Sequence, residues 1–382
     1  MAEKRNIFED VSEAGFQSEK PKGGLIDSVA NKGDRKGIRA WLIVLFAMVL
    51  VMIVVGGLTR LTDSGLSITE WKPITGAIPP LSAETWDSEF AKYQEIPEFQ
   101  LQNKDMTLAE FKTIYWWEWG HRQIGRVIGL VWALGFLYFL LTKKIPTGWT
   151  PRLIGIGALG GLQGAIGWWM VSSGLTGTML DVASYRLAIH LGLAFVILGF
   201  ITWYILQLSA TEAELLAARR NREKRLFGLT TGLMHFVLLQ VLLGALVAGI
   251  DAGRSYTDWP LMAGGFFPPE PFSLTPIWRN FFEDPGLVQF IHRISGYLLL
   301  AFAFVVWRRG RTSPLLRTKR AIDWALVMIF GQMVVGIGTV IYAAPWQIAI
   351  AHQLIAVITF VLVIRARFQT GYPMAESIRR AA

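Results

Sequence analysis

Between Arg39 and Arg60 the chain runs for twenty residues without a single charge, and apart from Gly56, Gly57 and Thr59 every one of them is apolar. A helix of that length, rising about 1.5 Å per residue, covers the roughly 30 Å hydrocarbon core of a bilayer. Lipid offers no hydrogen bonds, so such a run must satisfy its backbone internally, which a helix does. The same signal recurs along the chain. Hydropathy places spans near 39–60, 122–142, 152–172, 184–207, 226–249, 288–307, 321–342 and 346–366. The expected fold class is therefore an all-α membrane protein of eight transmembrane helices. A mean hydropathy of +0.41 and 16 tryptophans exclude the disordered and fibrous classes.

Charge then orients the spans. Of 37 Lys and Arg, 26 fall on one set of alternate sides: the tail up to Arg39, Lys143 to Arg152, Arg219 to Arg225, Arg308 to Arg320, and the chain from Arg365 onward. Residues 61–118, on the opposite side, carry ten Asp or Glu against four Lys. The positive-inside bias puts both termini in the cytoplasm and the long loops outside. The formal charge of +9 thus marks topology, and no nucleic-acid partner is expected. Residues 1–38 mix charges of both signs, unlike a cleaved signal or transit peptide, and are expected to form a cytoplasmic tail, as are residues 367–382. The absence of cysteine removes disulfides, iron–sulfur clusters and thiolate metal sites, so any metal chemistry must use His, Met or carboxylate. The eleven methionines show no paired arrangement and read as packing.

An internal repeat divides the chain. At an offset of 188, Gly56, Asp63, Gly65, Thr69, Trp71, Gly76 and Pro80 meet Gly244, Asp251, Gly253, Thr257, Trp259, Gly264 and Pro268. Downstream, His121-Arg122 meets His292-Arg293, Gln163 resembles Gln332, and His190 meets His352. Four spans separate the copies, so both halves share one orientation. The expectation is two parallel four-helix repeats, 39–207 and 226–366, about a pseudo-two-fold axis along the membrane normal.

Four of the five histidines, His121, His190, His292 and His352, fall near the starts of the even-numbered spans, all entered from the outer side. Ionisable groups at such depth usually face a bundle interior or a ligand. Two helices each presenting one imidazole suit axial ligation of a haem iron, and repeat symmetry sorts the four into two pairs. Zinc or copper would need three or four ligands converging on one point. A lone core histidine held by hydrogen bonds is the alternative for each taken singly. His235, midway along span five without a repeat partner, is expected to make a local hydrogen bond. Glycines on spans three and seven, among them Gly155, Gly160, Gly161, Gly164, Gly167 and Gly336, fit close helix approach or ordinary packing.

The halves differ three residues before the first histidine of each, where Glu118 stands against Gln289. At this spacing Glu118 shares a helix face with His121, where it could move protons or stabilise a developing cation, or instead pair with Arg122 or cap the span. The asymmetry suggests that the first half is catalytic and the second a fixed redox centre. Arg122, Arg126, Arg186 and Arg293 lie near the histidine level. Arg122 and Arg293, adjoining the ligands, are candidates to pair with haem propionates, outer-loop acids being the other partners available. Loops 61–118 and 250–287, rich in Trp, Pro and Phe, are expected to pack over the outer surface.

The run Phe111-Lys112-Thr113-Ile114-Tyr115-Trp116-Trp117-Glu118-Trp119-Gly120-His121-Arg122, followed by Gly125-Arg126, resembles the signature of the haem A synthase family, and the resemblance covers about residues 39–366. It implies oxidation of the C8 methyl group of haem O to a formyl group by successive hydroxylations, giving haem A for assembly of terminal oxidases. His121 and His190 would flank haem O, supplied by a haem O synthase, with Glu118 assisting, while His292 and His352 would ligate a resident haem B. Lacking loop cysteines, the chain is similar to the cysteine-free branch found in alphaproteobacteria and mitochondria, and its short acidic N-terminus favours a bacterial inner membrane. The electron donor, the oxygen source and any homo-oligomer stay open. The competing class is a dihaem b-type cytochrome passing electrons to or from a quinone, which needs no Glu118 asymmetry. A secondary transporter, the third class, would carry midplane charge that these spans lack.

Overall fold

A computed structural model describes residues 33–177 and 179–374; the expectations for residues 1–32 and 375–382 lie outside it. Eight long helices carry the fold: α1 Arg35–Leu61, α2 Leu108–Leu141, α3 Thr150–Val171, α4 Ser184–Gln207, α5 Lys224–Gly249, α6 Pro285–Gly310, α7 Leu316–Ile341 and α8 Trp346–Gly371. All eight are long and apolar enough to cross a membrane, and no strand occurs among the described residues. The protein is an all-helical, multi-pass membrane protein.

The starts follow local chemistry. Asp34 accepts from the Gly37 amide at 2.7 Å to cap α1, and Asp284 accepts from Leu287 ahead of Pro285 to cap α6. A reciprocal box between Thr107 and Glu110 opens α2. That helix starts at Leu108 rather than near 122, because its first turns lie above the apolar stretch that hydropathy detects. There Phe111 and Tyr115 are buried against the short helix Ala83–Gln94, with Phe90 and Phe111 rings 5.0 Å apart and Trp86 and Tyr115 rings 5.0 Å apart. Burying side chains of this size stabilises the loop layer by about 1.5–3 kcal/mol each. The α1–α2 loop is thereby a packed cover over the ends of α2, α3 and α4, joined by Leu66, Val171 and Val182.

Helices α1 to α4 close a ring in which each packs against the next and α4 returns to α1, and α5 to α8 do the same. The rings meet along α1 and α4 of the first and α5 and α8 of the second, with Phe195 and Phe360 rings 5.6 Å apart in the shared core. Gln353 of α8 donates to the Ile53 carbonyl of α1 at 2.7 Å, and only a glycine at 57 leaves room for its amide. At the loop end, Arg60 reaches Asp63, Asp181 and Asp251, tying the end of α1 to the end of α5. In each ring the even-numbered helices are diagonal neighbours, and backbone packing between them is sparse at most among the described residues. A space between diagonal helices is where bundles build cofactor sites.

Candidate functional site

The histidines occupy those diagonals. His121 on α2 lies within electrostatic range of His190 on α4, and His292 on α6 within range of His352 on α8. All four lie deeper than the helix starts, since α2, α4, α6 and α8 begin at Leu108, Ser184, Pro285 and Trp346. Each is only partly buried. His235, by contrast, is exposed on α5 and donates from Nδ1 to its own helix at the Thr231 carbonyl, 2.9 Å away, the local bond expected of it.

Every one of the four imidazoles rests on a glycine of the preceding helix. A Cβ would come within 3.0 Å of His121 if placed on Gly56, 2.8 Å of His190 on Gly167, 3.0 Å of His292 on Gly244 and 3.0 Å of His352 on Gly336. Any larger residue would push the ring from its place. One turn before three of these glycines stands a glutamine. Gln163 donates to the His190 carbonyl at 3.0 Å, Gln240 to that of His292 at 2.9 Å and Gln332 to that of His352 at 2.9 Å, and each amide nitrogen also lies within 3.3 Å of a ring nitrogen. The carbonyl oxygens of all three glutamines are buried without a partner. A histidine bound to metal through one nitrogen donates its other N–H to such an oxygen, which here requires the amide to turn, since its nitrogen now faces the ring. Paired imidazoles, a glycine cradle and three waiting acceptors fit axial ligation of haem. Zinc fits poorly, since no cluster of three or more His, Asp or Glu that could hold a metal ion occurs among the described residues.

Glu118 is fully engaged. Its Oε1 accepts from Arg122 Nε at 3.0 Å and Nη2 at 2.6 Å, and its Oε2 accepts from Ser67 Oγ at 2.7 Å and the Ile68 amide at 2.8 Å. Four donors fill the four lone-pair positions of a carboxylate. Arg122 continues into the loop, donating to the carbonyls of Glu70 at 3.1 Å and Ile68 at 2.8 Å. The other half repeats this clamp with an amide: Gln289 donates to the carbonyls of Ala252 and Tyr256, and Arg293 binds those of Tyr256, Asp258 and Leu261 and the Gln289 side chain. Arg126 similarly holds the carbonyls of Lys72 and Pro73, whereas Arg186 donates to the Trp169 carbonyl and lies over its ring. Glu118, Arg122 and Arg293 are therefore gathered beside the histidines as loop anchors. The sequence reading missed Gln240 and the cradle as a unit; its signal is the spacing Gln-x-x-x-Gly, repeated on α3, α5 and α7.

In the loop layer, Glu98 is buried, and its Oε2 has no partner. Burial first, then Asp181, Asp63 and Glu118, push its carboxyl up to about 8.

Fold and site together define a class: a multi-pass helical membrane protein with two pairs of histidines set across two four-helix rings. The model of the cytochrome oxidase assembly protein family matches residues 39–364. Relatives named Heme A synthase are 66% identical in Dinoroseobacter shibae, over 100% of both chains, 63% in Ruegeria pomeroyi, over 99% of this chain and 100% of the relative, and 59% in Paracoccus denitrificans, over 98% of each. The chain belongs to the haem A synthase family of cytochrome oxidase assembly proteins.

Proposed function

We propose that this chain is an oxidoreductase that converts haem O to haem A, oxidising the C8 methyl group to a formyl group by successive hydroxylations. The observation that carries this reading is the pairing of four imidazoles across two diagonals, each seated on a glycine. His121 and His190 flank the substrate haem O in α1–α4; His292 and His352 ligate a resident haem B in α5–α8. That haem B supplies one-electron redox capacity. The two rings act as parallel repeats about an axis along the membrane normal, a reading supported by their matching order of packing.

The chain's own residues locate and enclose. Gln163, Gln240 and Gln332 orient three rings, and the loop clamps exclude water from above. Glu118 and Arg122 hold residues 67–70 over the substrate half. As Glu118 has no unused lone pair, it serves there as a fixed charge opposite a cation developing on the macrocycle, and a proton-transfer role requires one of its four bonds to open. Arg122 and Arg293, whose terminal nitrogens are tied to loop carbonyls and to the Glu118 or Gln289 side chain, lend positive charge to haem propionates through space. The protein sits in a bacterial inner membrane with both termini cytoplasmic and the haem sites toward the outside, takes haem O from its synthase and delivers haem A to oxidase assembly.

The test is the pigment. Protein made in cells that also make haem O is purified, its haem extracted and each macrocycle identified by chromatography. Haem B together with haem O or haem A is expected. Haem B alone at two equivalents would instead support the dihaem cytochrome.

A further inference from the structure

The four helix pairs α1–α2, α3–α4, α5–α6 and α7–α8 share one pattern: a glycine under the histidine of the next helix and, one turn earlier, a longer side chain. Three of those residues are glutamines, and the fourth is Met52, one turn before Gly56. Its place is equivalent in space as well as in sequence. The Met52 methyl group comes within 3.0 Å of a Cβ built on Gly125, one turn past His121, as the Gln240 amide comes within 3.2 Å of a Cβ built on Gly296, one turn past His292. A thioether donates no hydrogen bond and accepts only weakly. No side-chain hydrogen bond to the His121 ring or carbonyl occurs among the described residues, whereas His190, His292 and His352 each have one.

We propose that Met52 makes His121 the exchangeable ligand of the substrate site. This rests on the haem O reading above. In that site His121 leaves first, as a neutral imidazole taking its lone pair, so no electron moves, and the bond to His190, steadied by Gln163, forms first as substrate enters and breaks last as product departs. A resident cofactor needs two fixed ligands, and a substrate that must leave needs one that lets go. A second observation points the same way: the helix bearing His121 packs far less extensively against α3 than the helix bearing His292 packs against α7, and so has more freedom to shift.

The experiment is an exchange of the two residues, read by carbon monoxide binding to the reduced, purified protein in detergent, with extraction of the pigment to count each haem. Carbon monoxide binds ferrous haem only where a ligand has left. In the parent protein it is expected to bind the first-half haem and not haem B. Met52→Gln is expected to slow that binding about 10- to 100-fold, the usual effect of a hydrogen-bonding partner behind a metal ligand. Met52→Leu, which keeps the position apolar, is expected to match the parent. Gln240→Met is expected to open haem B to carbon monoxide. Equal binding by parent and Met52→Gln, with both haems present, would overturn the proposal and leave the haem O reading standing. Absence of any haem O or haem A from the extract would overturn that reading first.

Discussion

A methyl group placed beneath an imidazole tests the cradle most sharply. In Gly244→Ala the new Cβ would lie 3.0 Å from His292 Cε1, where ordinary contact begins at 3.4 Å. The ring must retreat about 0.4 Å, close to the roughly 0.5 Å tolerance of a functional site. It cannot retreat freely, because Gln240 holds both its carbonyl and its Nδ1. Overpacking of this kind costs about 1–3 kcal/mol, or about 5- to 150-fold in haem affinity. The assay is the rate at which haem B passes from the purified protein to excess apomyoglobin. Gly232→Ala, on the same helix and 3.4 Å from Phe302, is the control and should release haem B at the parental rate. Parental release from Gly244→Ala would refute the claim that glycine contact positions the ligands.

Glu118→Ala leaves Arg122 without its partner, a loss of about 3–5 kcal/mol for a buried pair. Residues 64–70 should exchange amide hydrogens faster and product formation should fall while haem B is retained; unchanged turnover would remove Glu118 from the account. Glu98, pushed up to about 8 from 4.5, binds a proton more tightly folded than unfolded, so its contribution is full below about 4.5 and is lost as pH rises through about 8. Glu98→Gln should flatten the pH dependence of amide exchange around residues 93–103 in that window, and an unaltered profile would contradict the assignment. Arg60→Met leaves three carboxylates facing one another between the rings and should lower stability by about 1–2 kcal/mol, read as an earlier denaturant midpoint.

Much of this was legible in the sequence, and the reasons are physical. Transfer of apolar side chains out of water is a local, additive signal, so all eight helices were located, and four spans began within two residues of their observed starts at Thr150, Ser184, Lys224 and Trp346. The start of α2 was not, because Phe111 and Tyr115 are buried by a loop helix rather than by lipid. The order of the histidines along the even-numbered helices was legible because the matching sequence segments preserve it. Gln240 escaped notice because comparison of the two halves matches Gln163 to Gln332, whereas the pattern that includes Gln240 recurs every second helix. The clamp of Glu118 was only one of two alternatives in the sequence, since bonds to Ser67 and Ile68 cross about fifty residues of intervening chain.

The most direct test of the central claim is pigment analysis of four single variants made in cells that supply haem O. His121→Ala and His190→Ala should each deplete haem O and haem A while retaining haem B, and His292→Ala and His352→Ala should each deplete haem B. Depletion that does not follow these pairs, with the two members of a pair losing different haems or all four variants losing both alike, would contradict two separate imidazole couples.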